Sequence, residues 1–157
     1  VGPTDPLLGP LAFNGGLTQT AAPLAGSPVL SAGSAFASQA VDQRGFFRPV
    51  NAASDVGAYQ TQRPVAVGDE YTVVAGRTLT VPPRGVLSND TDPDAASSAP
   101  LTATLVPGSV VGGTVTLNSD GSFTFTPDAG FVGEASFEYT ASDGVALPSD
   151  PALVVIT

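Results

Sequence analysis

The 157-residue sequence contains no cysteine, histidine, methionine, tryptophan or lysine. Without cysteine, the chain can form neither a disulfide framework nor a thiolate metal site. Without histidine or cysteine, the Ser-His-Asp and Cys-His arrangements are excluded, and without lysine a Schiff base is excluded. Gly112-Gly113 is not followed by lysine, so it is not a phosphate-binding loop. We therefore expect a chain that is not an enzyme.

Positive charge is scarce as well, with five arginines against fourteen acidic side chains and a net charge of −9 at pH 7. This balance argues against nucleic-acid binding, which depends on basic side chains at phosphates. The charge is also uneven. Residues 1–63 have three aspartates and three arginines, whereas residues 64–157 have eleven acidic side chains and two arginines. The step in charge predicts two domains, 1–63 and 64–157.

Long apolar runs are absent too, since no stretch of 18 apolar residues occurs and we expect no membrane span. The sequence begins at Val1 without the pattern of a signal peptide. We interpret the chain as a piece of a longer protein whose targeting signal lies upstream.

Residues 64–157 have the pattern of short β-strands separated by turn residues. Alternation in Phe123-Thr124-Phe125-Thr126 places both phenylalanines on one face, and Phe137-Glu138-Tyr139 does the same with two rings. Asn118-Ser119-Asp120-Gly121 is typical of a hairpin turn. Seven runs at this spacing predict a seven-stranded antiparallel β-sandwich. They cover residues 71–74, 78–81, 101–106, 114–117, 122–126, 134–140 and 152–156.

The segment Asn89-Asp90-Thr91-Asp92-Pro93-Asp94 crowds oxygen ligands into one turn, as a hard cation such as Ca²⁺ requires. An EF-hand is excluded, because its sixth position would be Ala95 and its twelfth Leu101. A sandwich-type site needs further ligands from other strands, and Asp69 and Asp143 are the candidates. The alternative is a solvated turn without metal, and Asp143-Gly144 could equally be a turn.

The second half also resembles a family, the bacterial Ig-like, cadherin-like repeats of large surface adhesins. The resemblance implies a β-sandwich, Ca²⁺ at the acidic loop, and a spacer or adhesive role at the bacterial surface or outside the cell. It implies metal ligands among Asp69, Asn89, Asp90, Asp92, Asp94 and Asp143. Gly68 stands where the family often has an acid, and Ala95-Ala96-Ser97-Ser98-Ala99 replaces its Gly-Asp. The matching stretches are Asp69-Glu70-Tyr71-Thr72-Val73, Gly85-Val86-Leu87-Ser88-Asn89-Asp90-Thr91-Asp92, Leu101-Thr102-Ala103-Thr104-Leu105, Gly113-Thr114-Val115-Thr116-Leu117, Asp120-Gly121-Ser122-Phe123-Thr124-Phe125-Thr126-Pro127, Gly130-Phe131-Val132-Gly133 and Phe137-Glu138-Tyr139-Thr140-Ala141-Ser142-Asp143-Gly144.

Residues 1–63 are rich in glycine and proline and have no sustained periodicity, which alone would allow a disordered linker. A disordered linker normally contains few large apolar side chains, whereas this half contains many. We therefore expect an ordered segment. These groups are Leu7, Leu8, Leu11, Phe13, Leu24, Val29, Phe46, Phe47, Val56 and Tyr59.

This first half resembles the C-terminal end of the choice-of-anchor Q proteins, which are right-handed parallel β-helices. The resemblance implies a largely irregular end segment whose preceding coils are absent, leaving Leu7, Leu8, Leu11 and Phe13 uncovered. The matching stretches are Asp5-Pro6-Leu7-Leu8-Gly9-Pro10-Leu11, Asn14-Gly15-Gly16, Pro23-Leu24-Ala25-Gly26-Ser27-Pro28-Val29, Ala32-Gly33, Asp42-Gln43-Arg44-Gly45, Arg48-Pro49 and Asp55-Val56-Gly57-Ala58-Tyr59.

Arg44 and Arg48, with Asp42 and Asp55, form the one mixed charge cluster of this half. The cluster could bind an anion. We favour structural ion pairs that hold irregular backbone, because the guanidinium fork matches carboxylates.

Two hypotheses for function follow. The first is a non-catalytic fragment of a bacterial secreted or cell-surface protein, in which a β-helix end joins a Ca²⁺-stiffened spacer or adhesion module. Its partners would be neighbouring repeats of the same polypeptide, with surface glycans or proteins as further candidates. The alternative is an accessory region of a secreted polysaccharide-degrading β-helix enzyme. A sugar-binding groove needs exposed aromatic rings, and the chain has three tyrosines and no tryptophan.

Overall fold

The computed structural model describes residues 5–33, 40–48, 54–94 and 100–157. The chain divides into two compact units. The first comprises Val1–Gln62, Pro93–Ala99 and Gly144–Ala146, and the second comprises Arg63–Asp92, Pro100–Asp143 and Leu147–Thr157. No helix among the described residues has both the length and the hydropathy that a membrane crossing needs. The five residues from Ala95 to Ala99, noted above as a departure from the family, lie outside the described residues.

The first unit contains one strand pair, β1 (Leu8–Ala12) antiparallel to β2 (Thr20–Pro23). The described part of this unit contains no stacked parallel coil, so the β-helix resemblance stays a prediction. Tyr59 is buried, whereas many of the large apolar side chains of the unit are exposed, contrary to a conventional core. The exposed ones include Leu7, Leu8, Leu11, Phe13, Leu24, Phe47 and Val56.

The interior of the first unit is polar and centred on Arg44, whose side chain is fully buried. Its guanidinium lies 2.8 Å from Asp42 Oδ2 and 2.6 Å from Asp94 Oδ1, and it stacks on the Tyr59 ring at 3.5 Å. Burial alone would lower the pKa of Arg44, but the two carboxylates outweigh it and raise the pKa. Arg48 donates to the backbone carbonyls of Asp55 and Gly57. In the described part of the chain, the contacts of these two arginines fix the surrounding backbone. This agrees with the structural role that we favour from the sequence.

The second unit contains seven strands, close to the seven predicted segments, and a short 3₁₀ helix, Gly85–Leu87. One sheet has the order β3-β9-β8-β5 and the other β4-β7-β6. This all-β arrangement is consistent with the predicted Ig-like sandwich. The strands are β3 (Asp69–Tyr71), β4 (Leu79–Val81), β5 (Thr102–Leu105), β6 (Gly113–Leu117), β7 (Phe123–Pro127), β8 (Ala135–Ser142) and β9 (Ala152–Ile156).

The pairing of β3 with β9 is parallel, so the unit is not wholly antiparallel as predicted. β3 also begins at Asp69, two residues before the predicted strand. The parallel pairing brings the first and last strands of the unit side by side, with Asp69 opposite Val154 and Tyr71 opposite Ile156.

Both sheets contribute to one apolar core, as the two-residue alternation predicts. Phe123 and Phe125 of β7 and Phe137 and Tyr139 of β8 are almost completely buried. The rings of Phe123 and Phe137 meet edge to face, with their centroids 5.2 Å apart. Burying such rings contributes about 1.5–3 kcal/mol each to stability.

The predicted hairpin between β6 and β7 is present. Asn118 N–H donates to Ser122 C=O at 2.9 Å, and Gly121 N–H donates to Asn118 C=O at 3.0 Å. Gly121 has φ of 83°, a conformation in which glycine avoids the strain of a side chain, whereas Asp120 does not adopt positive φ. The turn is therefore a three-residue loop that ends in a left-handed glycine.

Candidate metal site

Two predicted ligands, Asp69 and Asp90, come together in the second unit around the side chain of Tyr139. Asp69 is the first residue of β3, and Asp90 follows the 3₁₀ helix Gly85–Leu87. Tyr139 lies in the middle of β8, where the alternation turns its ring into the core, and it is completely buried. The phenol is long enough for its hydroxyl to emerge beside the two carboxylates.

The Tyr139 hydroxyl is the centre of this cluster. Its oxygen lies 2.6 Å from Val86 C=O, 2.9 Å from Asp90 Oδ1 and 3.2 Å from Val67 C=O. Asp90 Oδ1 also accepts the Val67 N–H at 2.8 Å. These bonds hold Asp90 against the start of β3.

Both carboxyls have raised pKa values. Burial, and then repulsion from the Asp90 charge, raises the pKa of Asp69 to about 6. Burial also raises the pKa of Asp90, although the hydrogen bonds from Val67 and Tyr139 oppose this. Burial and the Asp90 charge raise the pKa of Tyr139 well above its usual range, so this hydroxyl keeps its proton at neutral pH. The pair therefore carries uncompensated negative charge once both carboxyls ionise.

One carboxylate oxygen of the pair has no donor. Asp69 Oδ2 is buried and accepts no hydrogen bond from the described residues. A buried acceptor without a donor costs about 1–3 kcal/mol or more, and a cation would satisfy it. Two close carboxylates with a free oxygen fit the demands of a hard cation such as Ca²⁺, which takes oxygen ligands.

Asn89 and Asp92 flank Asp90 in the same loop. The Asn89 amide nitrogen donates to the carbonyl of Gly68 at 3.1 Å, so Asn89 also lies at the start of β3. Asp92 is half-buried. A side chain in place of Gly68 would put its Cβ 2.8 Å from Leu153 C=O, which explains why this position is glycine.

Asp94 and Asp143 are not part of the Asp69–Asp90 pair. Asp94 belongs to the first unit, where Arg44 binds Oδ1 and the Gln62 N–H donates to Oδ2 at 2.6 Å. Asp143 is buried at the end of β8. Within the described ranges, no group of three or more acidic side chains is placed to hold a metal ion.

The sequence predicts neither of two contacts that the candidate ligands make. The alternation predicts that the Tyr139 ring shares a face with Phe137, and the ring does lie in the core, but alternation along a strand gives no indication of where the hydroxyl ends. Arg44 is fifty positions from Asp94, and the acidic loop alone gives no sign that a distant arginine binds one of its carboxylates.

Comparison with known proteins bears on the second unit. Residues 61–157 match the family model described as the bacterial cadherin-like domain. No curated protein matches the chain in sequence.

Proposed function

Since the chain belongs to the bacterial cadherin-like domain family through residues 61–157, we propose that it is a non-catalytic spacer or adhesion module of a bacterial surface or secreted protein. Domains of this family are generally extracellular and non-catalytic. A spacer must transmit tension between its two ends without unfolding, so the placement of the terminal strands is the feature to consider.

The parallel pairing of β3 and β9 is the observation that supports this proposal. In a parallel pair, the N-terminal end of one strand and the C-terminal end of the other lie at opposite ends. Tension applied to these two ends therefore loads all the inter-strand hydrogen bonds at once, in shear, and they cannot break one after another. The pair continues past both strands, because Val73 N–H donates to Thr157 C=O at 2.8 Å. Thr157 N–H donates to Tyr71 C=O at 3.0 Å.

Calcium would add to this resistance at the start of β3. We propose that Asp69 and Asp90 hold the cation, with the side-chain oxygen of Asn89 as a further ligand. The bound ion would supply the positive charge that the pair lacks. Asp69 opens β3 and Asp90 belongs to the loop after the 3₁₀ helix, so joint ligation would fasten the first strand to the body of the unit.

Force spectroscopy on the full chain tests the spacer function. Cysteines introduced as Gln62→Cys and Thr157→Cys would be the only thiols in the chain and would serve as attachment points. Val73→Pro removes the donor to Thr157, and we expect it to lower the unfolding force of the second unit. Val74→Pro is the matched control, because the Val74 side chain is 74% exposed and its amide takes no part in the pairing with β9.

Two results would count against the spacer proposal. One is an equal unfolding force for the Val73→Pro variant and the unsubstituted chain, because the pairing of β3 with β9 would then carry no load. The other is an equal loss of force for Val73→Pro and Val74→Pro, since proline itself would then be the cause. A force that rises on adding Ca²⁺ would support the proposed role of the cation.

A further inference from the structure

Three of the four edge strands in the second unit have features that block pairing with another chain. Natural sheets protect their edges by short strands, charges, prolines or cover. β3 has three residues, two of them acidic, and β4 has three residues and is followed by Pro82-Pro83. On β5, the Ala103 N–H already donates to Ser119 C=O at 3.0 Å.

The fourth edge strand, β6, lacks the first three of these features. It is five residues long, Gly113–Leu117, with no charge and no proline. The isolated bridge of Val111 to Ser136 comes before the strand, and the turn at Asn118 follows it. Five residues of strand present an edge of roughly 17 Å.

The register shows which backbone groups face this edge. Gly112 C=O accepts from Asp128 N–H, and Asn118 N–H donates to Ser122 C=O, so the residues bonded to β7 are the even-numbered ones. Bonded residues alternate along an antiparallel pair. The N–H and C=O groups of Gly113, Val115 and Leu117 therefore point away from β7. No backbone hydrogen bond from another described segment reaches these three residues.

We propose that β6 binds an extended peptide segment by strand addition, and that this segment has basic residues flanking an uncharged centre. Strand addition supplies the main-chain hydrogen bonds that the free edge lacks, while side chains set the specificity. This partner surface goes beyond the spacer role and does not depend on calcium.

Charge at the two ends of β6 favours a basic partner. Asp128 lies beside the Gly113 end through its bond to Gly112, and its side chain is exposed. Asp120 lies in the turn at the Leu117 end, where hydrogen bonds from Ser122 lower its pKa and keep it ionised. The Arg84 N–H donates to Asp120 C=O, so the backbone of Arg84 adjoins that end. Each end of β6 therefore has an acidic side chain near it.

The side chains on the two faces of β6 indicate which residues the centre of the partner segment should contain. Thr114 and Thr116 are exposed, and each lies opposite another exposed threonine of β7, Thr126 and Thr124 respectively. Val115 and Leu117 are half-buried and pack against the core. A strand added at this edge would continue both rows, so its residues should alternate between threonine-like and small apolar side chains.

The same charges disfavour a second copy of the chain. Two β6 strands pairing antiparallel would bring the Asp128 end of one copy to the Asp120 end of the other. Each copy also carries a net charge of −9 at pH 7. A cationic segment avoids both sources of repulsion.

Fluorescence anisotropy with labelled peptides and the full chain tests the proposal. The probe is Lys-Lys-Thr-Val-Thr-Val-Thr-Lys-Lys, and its controls carry proline in place of the central threonine or glutamate in place of lysine. We expect each control peptide to bind at least about tenfold more weakly than the probe. Asp128→Asn and Asp120→Asn should each weaken binding of the probe.

Two variants at one position separate edge pairing from simple charge attraction. Val115→Pro removes an edge-facing N–H, and proline at such a position leaves the β6–β7 ladder intact. Val115→Ala loses similar packing but keeps the N–H. We expect Val115→Pro to lose at least about tenfold in affinity relative to Val115→Ala. Thermal melts of both variants establish that each is folded.

Three results of the binding measurements would overturn the proposal. They are no anisotropy change with the lysine-flanked probe, equal binding by Val115→Pro and Val115→Ala, and equal binding of the proline-containing peptide. Sedimentation of the chain alone as a dimer that Val115→Pro dissociates would also overturn it, because the edge would then belong to a second copy.

Discussion

At the residue scale, Asp69 is the least favourably placed carboxyl of the described chain. Its Oδ2 is buried without a donor, and its neighbour Asp90 is also acidic. Ionisation of Asp69 therefore opposes folding unless a cation is bound. A calcium-binding module gains from such a site, because repulsion in the apo form makes stability depend on the ion.

This placement predicts a stability that falls as pH rises. The folded pKa of Asp69, about 6, lies above the ordinary value of 3.8 for an aspartate. The folded state thus binds the proton more tightly, and the penalty is absent below pH 3.8 and complete above about pH 6. After a discount for partial exposure, we expect about 1–2 kcal/mol. Asp69→Asn should be more stable than the unsubstituted chain by this amount at pH 7 in EDTA.

Urea unfolding at pH 4 and pH 7 measures the effect. The gain from Asp69→Asn should shrink strongly at pH 4, where folded Asp69 is already protonated. Only the difference between the two proteins is informative, since carboxyls with lowered pKa values, such as Asp42 and Asp120, lose stabilisation in acid. Glu70→Gln, on the same strand but exposed, is the control and should show no such gain. A gain from Asp69→Asn that is equal at both pH values would contradict the prediction.

At the element scale, strands were predictable from the sequence and their partners were not. The alternation around Phe123 and Phe137 indicates a strand with one buried face whatever its neighbour. The parallel pairing of β3 with β9 joins residues more than eighty positions apart, and no local pattern specifies its direction. β3 also begins with two acidic residues, which have low strand propensity, so the predicted strand begins too late.

The candidate site was predictable to a similar degree. Acidic residues in a turn indicate a cation loop, and this reasoning selected Asp69 and Asp90, which the fold brings together. It could not exclude Asp94, because the ion pair with Arg44 depends on tertiary structure. Within one short loop, neighbouring aspartates therefore have different surroundings, and this difference can be tested.

Calcium titration distinguishes the two aspartates. At ten times its dissociation constant, an ion that binds only the folded form stabilises it by about 1.4 kcal/mol. For a unit of this size the melting temperature should rise by roughly 5–10 °C. Asp90→Asn should abolish this shift. Asp94→Asn should keep it while lowering stability without calcium, because the buried Arg44 loses one of its carboxylates.

Extracellular modules bind Ca²⁺ with dissociation constants of about 10⁻⁴ to 10⁻³ M, so the titration must reach the millimolar range. Mg²⁺ should shift the melting temperature less, because it prefers a tight octahedron and keeps its waters. Asp128→Asn is the surface control and should leave the calcium shift intact. A melting temperature that millimolar Ca²⁺ does not change would mean that the acidic loop is only a turn.

At the scale of the whole molecule, the two units are stabilised by different interactions. The second has an apolar core to which both sheets contribute. In the described part of the first, buried polar groups such as Asn14, Asp42 and Gln60 outnumber the buried large apolar groups. A buried polar network stabilises a fold only when its members are paired, so loss of one member has a large effect.

This contrast predicts two separate unfolding transitions in calorimetry of the full chain. Arg44→Lys keeps the charge but loses the planar fork and its stacking on Tyr59, so we expect it to destabilise the first unit by about 1–3 kcal/mol. Phe137→Leu reduces ring packing on Phe123 and should destabilise the second unit by about 1–2 kcal/mol. Each variant should lower one transition and leave the other in place. A single transition that both variants lower would mean that the chain unfolds as one cooperative body, with no domain boundary near residue 63.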